Sequence, residues 1–239
     1  MTAPLVLAIE TSTRRGSVAA RGPRGASDIE LAGARKHASD LVPAVDRVLA
    51  EIDASASDIE AIAVGTGPGS FTGLRVGVAT AYGLARGSGA ILVGVPSFEA
   101  LVLAEVAPGE EALVTLDARA GAFYAACYRR GESDVVVLHP PAVVTAAELR
   151  ALVPEAGPIL ADEGAASVLG EDQRERVRLD VSPRARSVLE LGTRRAESAG
   201  SRGLGGGFDA IEPLYLQPFR TRRRAMKDHG DPARGAESP

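Results

Sequence analysis

The segment Gly65-Thr66-Gly67-Pro68-Gly69-Ser70-Phe71-Thr72-Gly73-Leu74-Arg75-Val76-Gly77 carries the residue types closest to known chemistry in this 239-residue chain. A glycine-rich turn that opens a helix can cradle phosphate on its backbone N–H groups. A Walker loop also needs a Lys followed by Ser or Thr after the last glycine, to neutralise phosphate and hold magnesium. Neither is present. A dinucleotide fingerprint needs its third glycine in register and an acidic residue at the end of the next strand, to bind ribose. Here that strand ends Val95-Pro96-Ser97, so this reading fails too. Turn geometry explains part of the pattern: Gly67 and Gly69 flank Pro68 in a tight turn, and Ser70 can cap the helix that follows. It does not explain the helix interior, where Gly73, Gly77 and Ala81 recur every four residues. Each interior glycine costs about 0.8–1 kcal/mol against alanine. Such a groove must be filled, either by strands of its own domain or by another chain, with Leu74 and Val78 placed to flank the seam or to point to the domain's own sheet. The pattern leaves the two open. An intermolecular groove predicts that Gly77→Leu stays folded but unpaired; an internal one predicts an overpacked core.

Other constellations fail on spacing. A metal site of the glycoprotease type needs two histidines one helical turn apart with a further ligand. The three histidines, His37, His139 and His229, are far apart in the chain. His37 reads as a surface residue before a helix, with a partner contact as the alternative. A sugar-kinase site needs a catalytic Asp between two lobes and a second phosphate turn. Asp117 is the best-placed carboxylate, with Arg119 its expected ion partner. Leu204-Gly205-Gly206-Gly207-Phe208 lacks a capped helix before Pro213 and reads as a loop. Cys127, the single cysteine, has no histidine near it in sequence to activate it, and its isolation excludes an intrachain disulfide framework.

The elements that would position these residues are legible from periodicity. Leu5–Glu10, Gly16–Arg21 and Ser27–Gly33 read as strands. Ser39 is the expected N-cap of a helix to about Ile52, with Leu41, Val45, Val48, Leu49 and Ile52 at helical spacing. Ala61–Gly65 is a strand, the glycine segment opens a helix to about Arg86, Ile91–Val95 is a strand, and Ser97 or Phe98 opens a further helix. Pro108-Gly109-Glu110-Glu111 interrupts the pattern and marks a boundary. Beyond it come a hairpin of Leu113–Leu116 and Phe123–Tyr128, a strand Val135–Leu138, a helix Ala146–Leu152, a strand Ile159–Ala161 and a helix Pro183–Glu197. This looser echo of the first half fits an α/β protein with the duplicated lobes of the actin-like ATPase superfamily. The expected division is 1–104, 105–218 and a tail, 219–239, whose Arg220, Arg222, Arg223, Arg224 and Lys227 precede Asp, Gly, Pro and Ser. The tail's composition is that of a disordered segment. Net charge is −4, so nothing in the bulk balance points to a nucleic-acid surface. The five-residue apolar run ended by Glu10 is too short for a signal peptide or a membrane span, so a cytoplasmic protein is expected.

The glycine segment resembles the signature of the TsaB/YeaZ family. So do Leu7-Ala8-Ile9-Glu10-Thr11-Ser12, Lys36-His37-Ala38-Ser39-Asp40-Leu41-Val42-Pro43, Asp117-Ala118-Arg119 with Tyr124, and Pro213-Leu214-Tyr215-Leu216. These run in order from about residue 5 to residue 218. The resemblance implies a two-lobed fold of the actin/sugar-kinase/chaperone type and a non-catalytic scaffold role in tRNA threonylcarbamoyladenosine synthesis. The implied partners are a TsaD-like catalytic subunit, a TsaE-like ATPase, a second copy when the chain is alone, and tRNA through the complex. No cofactor is expected in the isolated chain, with ATP a possibility in the assembled complex. The runner-up is a degenerate phosphotransferase of the same fold. In that family the helix opened by this segment lies at the dimer interface. This tips the groove towards an intermolecular one, formed by Gly67, Pro68, Gly69, Ser70, Phe71, Thr72, Gly73, Leu74, Arg75, Gly77, Val78 and Ala81. Three positions depart from the family pattern: Glu10 where Asp is usual, Ala122 where Glu is common, and Gln217 where Arg often stands.

Overall fold

The computed structural model describes residues 3–32, 37–199, 211, 214 and 216. The Leu204–Phe208 loop, His229, Gln217 and the arginine-rich tail lie outside the described residues. Two five-stranded mixed sheets form the frame. The first contains β1 (Val6–Glu10), β2 (Ser17–Gly22), β3 (Gly25–Glu30), β4 (Ala61–Gly65) and β5 (Ile91–Val95), with α1 (His37–Glu51), α2 (Phe71–Ser88) and α3 (Ser97–Glu105) between and after them. The second contains β6 (Glu111–Arg119), β7 (Ala122–Arg130), β8 (Val135–Thr145), β9 (Ile159–Ala161) and β10 (Val177–Arg178). Its helices are α4 (Ala146–Ala151), α5 (Glu163–Ala166), α6 (Glu171–Arg174) and α7 (Ala185–Ala199).

The two sheets repeat one topology. Strand order is β3-β2-β1-β4-β5 in the first and β8-β7-β6-β9-β10 in the second. In both, an antiparallel meander of three strands continues through parallel crossovers on the far side of its first strand. The duplication expected from the loose sequence echo is therefore present strand for strand.

A strand covered on both faces must be apolar throughout, and β1 is. Leu7 and Ile9 pack with Leu41, Val45, Val48 and Leu49 of α1 and with Val78 and Ala81 of α2. Val6 and Ala8 face the other way, onto Val188, Leu189 and Leu191 of α7. Gly192 permits that close approach, since a Cβ there would collide with Ala63 on β4. Each half of the chain lends a helix to the other's sheet: α7 seats on the first sheet, while Phe98, Leu101 and Val102 of α3 pack on Val114, Ala126, Tyr128 and Leu160 of the second. Ile211 returns to the first core, and the Leu214 N–H donates to the Thr66 carbonyl at 2.8 Å.

Three local expectations are corrected. Helix α1 already includes His37, so Ser39 lies within its first turn, where its hydroxyl donates to the Asp40 carboxylate (2.8 Å). Strand β8 runs on from Leu138 to Thr145 through Pro140 and Pro141, which is possible because it is an edge strand with register shifts opposite Ala125–Tyr128. Asp117 and Arg119 form no ion pair among the described residues. The Arg119 backbone N–H donates to the Asp117 carboxylate (2.7 Å), and the Asp117 N–H donates to Asp162 (3.0 and 3.1 Å). Positive φ at Arg119 and Ala120 forms the tight turn from β6 into β7.

Candidate functional site

Three segments converge where the first sheet meets α2: the end of β1 (Glu10-Thr11-Ser12), the turn after β4 (Thr66 to Ser70) and the start of α3 at Ser97. Backbone and hydroxyl groups join them. The Ser70 N–H donates to the Ser12 carbonyl (2.6 Å), the Thr11 hydroxyl to the Gly73 carbonyl (2.8 Å), and Gly67 and Ser97 bond each other in both directions (3.1 and 2.8 Å). Ser70 caps α2 by accepting from the Gly73 N–H, as its residue type implied. Behind the turn lies Glu10, fully buried, whose carboxylate accepts from the Ser12 N–H (2.6 Å) and the Ser97 hydroxyl (2.7 Å). Burial raises its pKa, and these hydrogen bonds partly oppose that rise.

Four backbone N–H groups of this turn and helix start are already engaged within the chain. A cradle keeps several N–H groups free to point at an anion. Here the N–H groups of Thr66, Gly67, Ser70 and Gly73 are all spent within the chain, on Val95, Ser97, Ser12 and Ser70. Glu10 points into the protein and has no space in front of it, because a Cβ on Gly65 would already collide with its carboxylate. At the neighbouring β1–β2 turn, Thr13 and Ser182 share a hydrogen bond (2.6 Å), and Arg15 grips Asp180 (2.8 Å). Among the described residues no cluster of three metal-ligating side chains occurs. Cys127 donates to the Leu152 carbonyl, and its pKa is pushed up to about 11 by burial and by Glu111, the opposite of an activated thiol.

The small-residue stripe is filled from within. A Cβ on Gly69 would strike the Ser12 carbonyl, one on Gly73 the Thr11 carbonyl, and one on Gly77 the Thr11 hydroxyl. Gly73, Leu74, Gly77, Val78 and Ala81 are buried in their own lobe, and Gly67 and Pro68 are buried in the turn. The expectation of an intermolecular groove along Gly73, Gly77 and Ala81 is therefore corrected: the end of β1 occupies it. Of the residues assigned to the interface, Ser70, Thr72 and Arg75 are exposed and Phe71 and Gly69 half-buried. The Arg75 guanidinium lies 4.0 Å from the centre of the Phe71 ring.

The outward face of α2 continues beyond the residues singled out from sequence. Val76 and Thr80 are half-buried, and Ala79, Gly83, Arg86 and Gly87 are exposed. Nothing lies within 4 Å of a Cβ built on Gly83 or Gly87. Ala79, Gly83 and Gly87 form a second four-residue repeat, set two residues off from the buried one. The spacing was visible, but Gly73-Gly77-Ala81 presented the same signal, and only the packing tells the two faces apart.

A family model described as TsaD: tRNA N6-adenosine threonylcarbamoyltransferase matches residues 30–182. The chain is 35% identical over 134 residues to the tRNA threonylcarbamoyladenosine biosynthesis protein TsaB of Escherichia coli (strain K12), covering 54% of this chain and 57% of that protein. It is 34% identical over 121 residues to the Haemophilus influenzae protein of the same name, covering 50% of this chain and 51% of that one. The crystal structure of a Pseudomonas aeruginosa protein, uncharacterized and described as similar to peptidase YEAZ, aligns with a TM-score of 0.74 at 27% identity, covering 90% of this chain and 100% of that one. The chain belongs to the TsaB/YeaZ family. Its matches span little more than half the length of the two TsaB relatives. Its two five-stranded mixed sheets, flanked by helices, repeat one strand order as duplicated lobes do. Among the described residues no helix is long and apolar enough to cross a membrane. Of the departures from the TsaB/YeaZ pattern, Glu10 fills the space left by Gly65, and Ala122 opens β7 opposite Thr145 and Arg119.

Proposed function

We propose that this chain is a non-catalytic assembly subunit in the synthesis of N6-threonylcarbamoyladenosine in tRNA. It pairs through the outer face of α2 with a TsaD-like catalytic subunit, and with a second copy of itself when alone. The observation that carries this reading is the two-sidedness of α2. Its inner face is pinned to β1 by glycines that admit no side chain, while its outer face leaves Thr72, Ala79, Gly83 and Gly87 small and exposed. Small residues let a second helix approach closely over many dispersion contacts. Arg75 stacked on Phe71 adds a guanidinium held in place, a group enriched at energetically dominant interface positions. The names of the TsaB relatives and of the matching family model support the pathway.

The subunit itself transfers nothing in this reading. A TsaE-like ATPase joins the assembled complex, tRNA is reached through that complex, any ATP is held there, and no membrane is involved. The test combines purified chain with a TsaD-like subunit and follows complex size and threonylcarbamoyl transfer to tRNA. Ala79→Arg, on the exposed face, should abolish both complex and transfer while leaving the melting temperature within about 2 °C, since exposed substitutions typically cost within ~0.5 kcal/mol. ATP turnover by the isolated chain should stay at background. Turnover that copurifies with the chain and vanishes on Asp117→Asn would overturn the proposal in favour of a degenerate phosphotransferase.

A further inference from the structure

Glu10 is a buried carboxylate that no salt bridge reaches among the described residues. Taking such a group out of water is costly unless its oxygens are satisfied by hydrogen bonds. Both oxygens are, and the two donors lead to opposite ends of the same turn. One oxygen accepts from the Ser12 N–H, and the carbonyl of Ser12 holds the Ser70 N–H at 2.6 Å. The other accepts from the Ser97 hydroxyl, whose oxygen in turn accepts from the Gly67 N–H at 3.1 Å. Gly67 and Ser70 bracket the turn that launches α2. Gly65 is the counterpart of the long side chain, because its missing Cβ is where the carboxylate sits.

We propose that Glu10 and Ser97 are positioning residues for the pairing face of α2. Their hydrogen-bonded hub fixes the direction in which the helix leaves β4, and through it the placement of Phe71, Thr72 and Arg75 at the helix start. The inference rests on the pairing role proposed above, and it assigns a task to a side chain that touches neither solvent nor partner. The geometry favours this task over a general packing role. The Glu10 bonds to the Ser12 N–H and the Ser97 hydroxyl lead to the turn's two anchors, and an aliphatic side chain of similar volume would fill the space without joining them. The hub needs two acceptors facing two donors. In Glu10→Gln, the amide N–H₂ that replaces one oxygen either confronts the Ser12 N–H or forces the Ser97 hydroxyl to turn from donor to acceptor. In Ser97→Ala, the carboxylate loses one donor and the Gly67 N–H loses its acceptor.

The full-length chain, Glu10→Gln, Ser97→Ala and the double variant are compared by sedimentation equilibrium, thermal melting and amide hydrogen exchange. Each single variant should weaken self-association about tenfold, equivalent to ~1.4 kcal/mol, with faster exchange confined to the Gly67 and Ser70 amides and unchanged protection in β6 and β7. The double variant should be no worse than the weaker single, the non-additivity of two residues acting as one unit. A folded single variant with wild-type exchange at Gly67 and Ser70, or with an unchanged dissociation constant, overturns the proposal. So does failure of both single variants to fold, which would assign the hub to the fold itself. If the wild-type chain is monomeric, it is the pairing role that fails, and exchange at Gly67 and Ser70 still reads whether the hub holds the turn.

Discussion

Replacing Gly77 and Gly83 separately by leucine distinguishes the inner from the outer face of α2, and the structure sets the two magnitudes. At Gly77 the new Cβ collides with the Thr11 hydroxyl, which donates to the Gly73 carbonyl at 2.8 Å. Rotating Thr11 away leaves a buried hydroxyl without its acceptor, costing ~1–3 kcal/mol. The remaining carbons must enter beside Ile9, an overpacking cost of a further ~1–3 kcal/mol. Leucine's better helix propensity returns only about 0.8 kcal/mol. A net loss near 3 kcal/mol lowers the melting temperature by roughly 6–12 °C, at ~2–4 °C per kcal/mol for a chain of this size. At Gly83 a Cβ meets nothing within 4 Å, so only the propensity gain applies and the melting temperature should rise by about 2–3 °C. Pairing should respond in the opposite sense, because Gly83→Leu places four carbons on the exposed face. Thermal melts with light scattering read both quantities. A Gly77→Leu protein that melts like wild type but no longer pairs would restore the intermolecular groove and refute the packing argument. Comparable destabilisation by Gly83→Leu would show that the outer face is covered within the monomer.

Three further outcomes follow from the same structure. Glu10 is a carboxyl with a raised folded-state pKa, so the stability it contributes is fully present below its unfolded pKa and is lost as pH rises through the folded value. Melting temperature measured from about pH 4.5 upward should therefore decline more steeply in wild type than in Glu10→Gln, and parallel curves would contradict the assignment. Ile211 is buried in the first core beside Gly94, so Ile211→Ala should cost about 2–5 kcal/mol in a denaturant melt; a loss below ~1 kcal/mol would show that the return segment does not seal that core. Arg195 joins α7 to α3 through Glu99 (2.5 Å) and to the Gly94 carbonyl (2.9 Å), so Arg195→Met should cost ~1–3 kcal/mol, seen as earlier thermal unfolding.

The central strands were legible as short unbroken apolar runs between turn residues, and α1 by its helical period. Ala61–Gly65 and Ile91–Val95 have the bounds expected of them, and Leu41, Val45, Val48, Leu49 and Ile52 are all buried. The short second-lobe helices α5 and α6 were missed because four residues cannot show a helical period. The orientation of α2 was hidden for a different reason. Gly73-Gly77-Ala81 and Ala79-Gly83-Gly87 are equivalent as patterns, and what separates them is the Thr11 side chain, 62 residues from Gly73 in the chain. Set beside the usual Asp, Glu10 shows only a longer side chain, which says nothing of what it bonds. Its partner Ser97 lies 87 residues away and had been read only as the start of a helix.

The duplication gives the strongest reason why pairing should belong to the first lobe. Equivalent strands β4 and β9 both lead from the sheet into a helix beside the end of the lobe's first strand, and both junctions are tied to that strand end by an acidic side chain. In the second lobe Asp162 does this from the turn itself, accepting from the Asp117 N–H and capping α5 through the Ala165 N–H (2.9 Å). The helix it caps is four residues long and has no extended outer face to offer. In the first lobe the acid sits on the strand, the turn is held through Ser12 and Ser97, and the helix runs for 18 residues. Two interior glycines, Gly73 and Gly77, seat its inner face against Thr11 and Ile9, a loss in helix propensity that an isolated lobe would have no need to accept in a helix this long. An extended helix with a buried base tied to the strand end and a bare outer stripe is what a docking element requires, and only one of the two equivalent positions has been built that way.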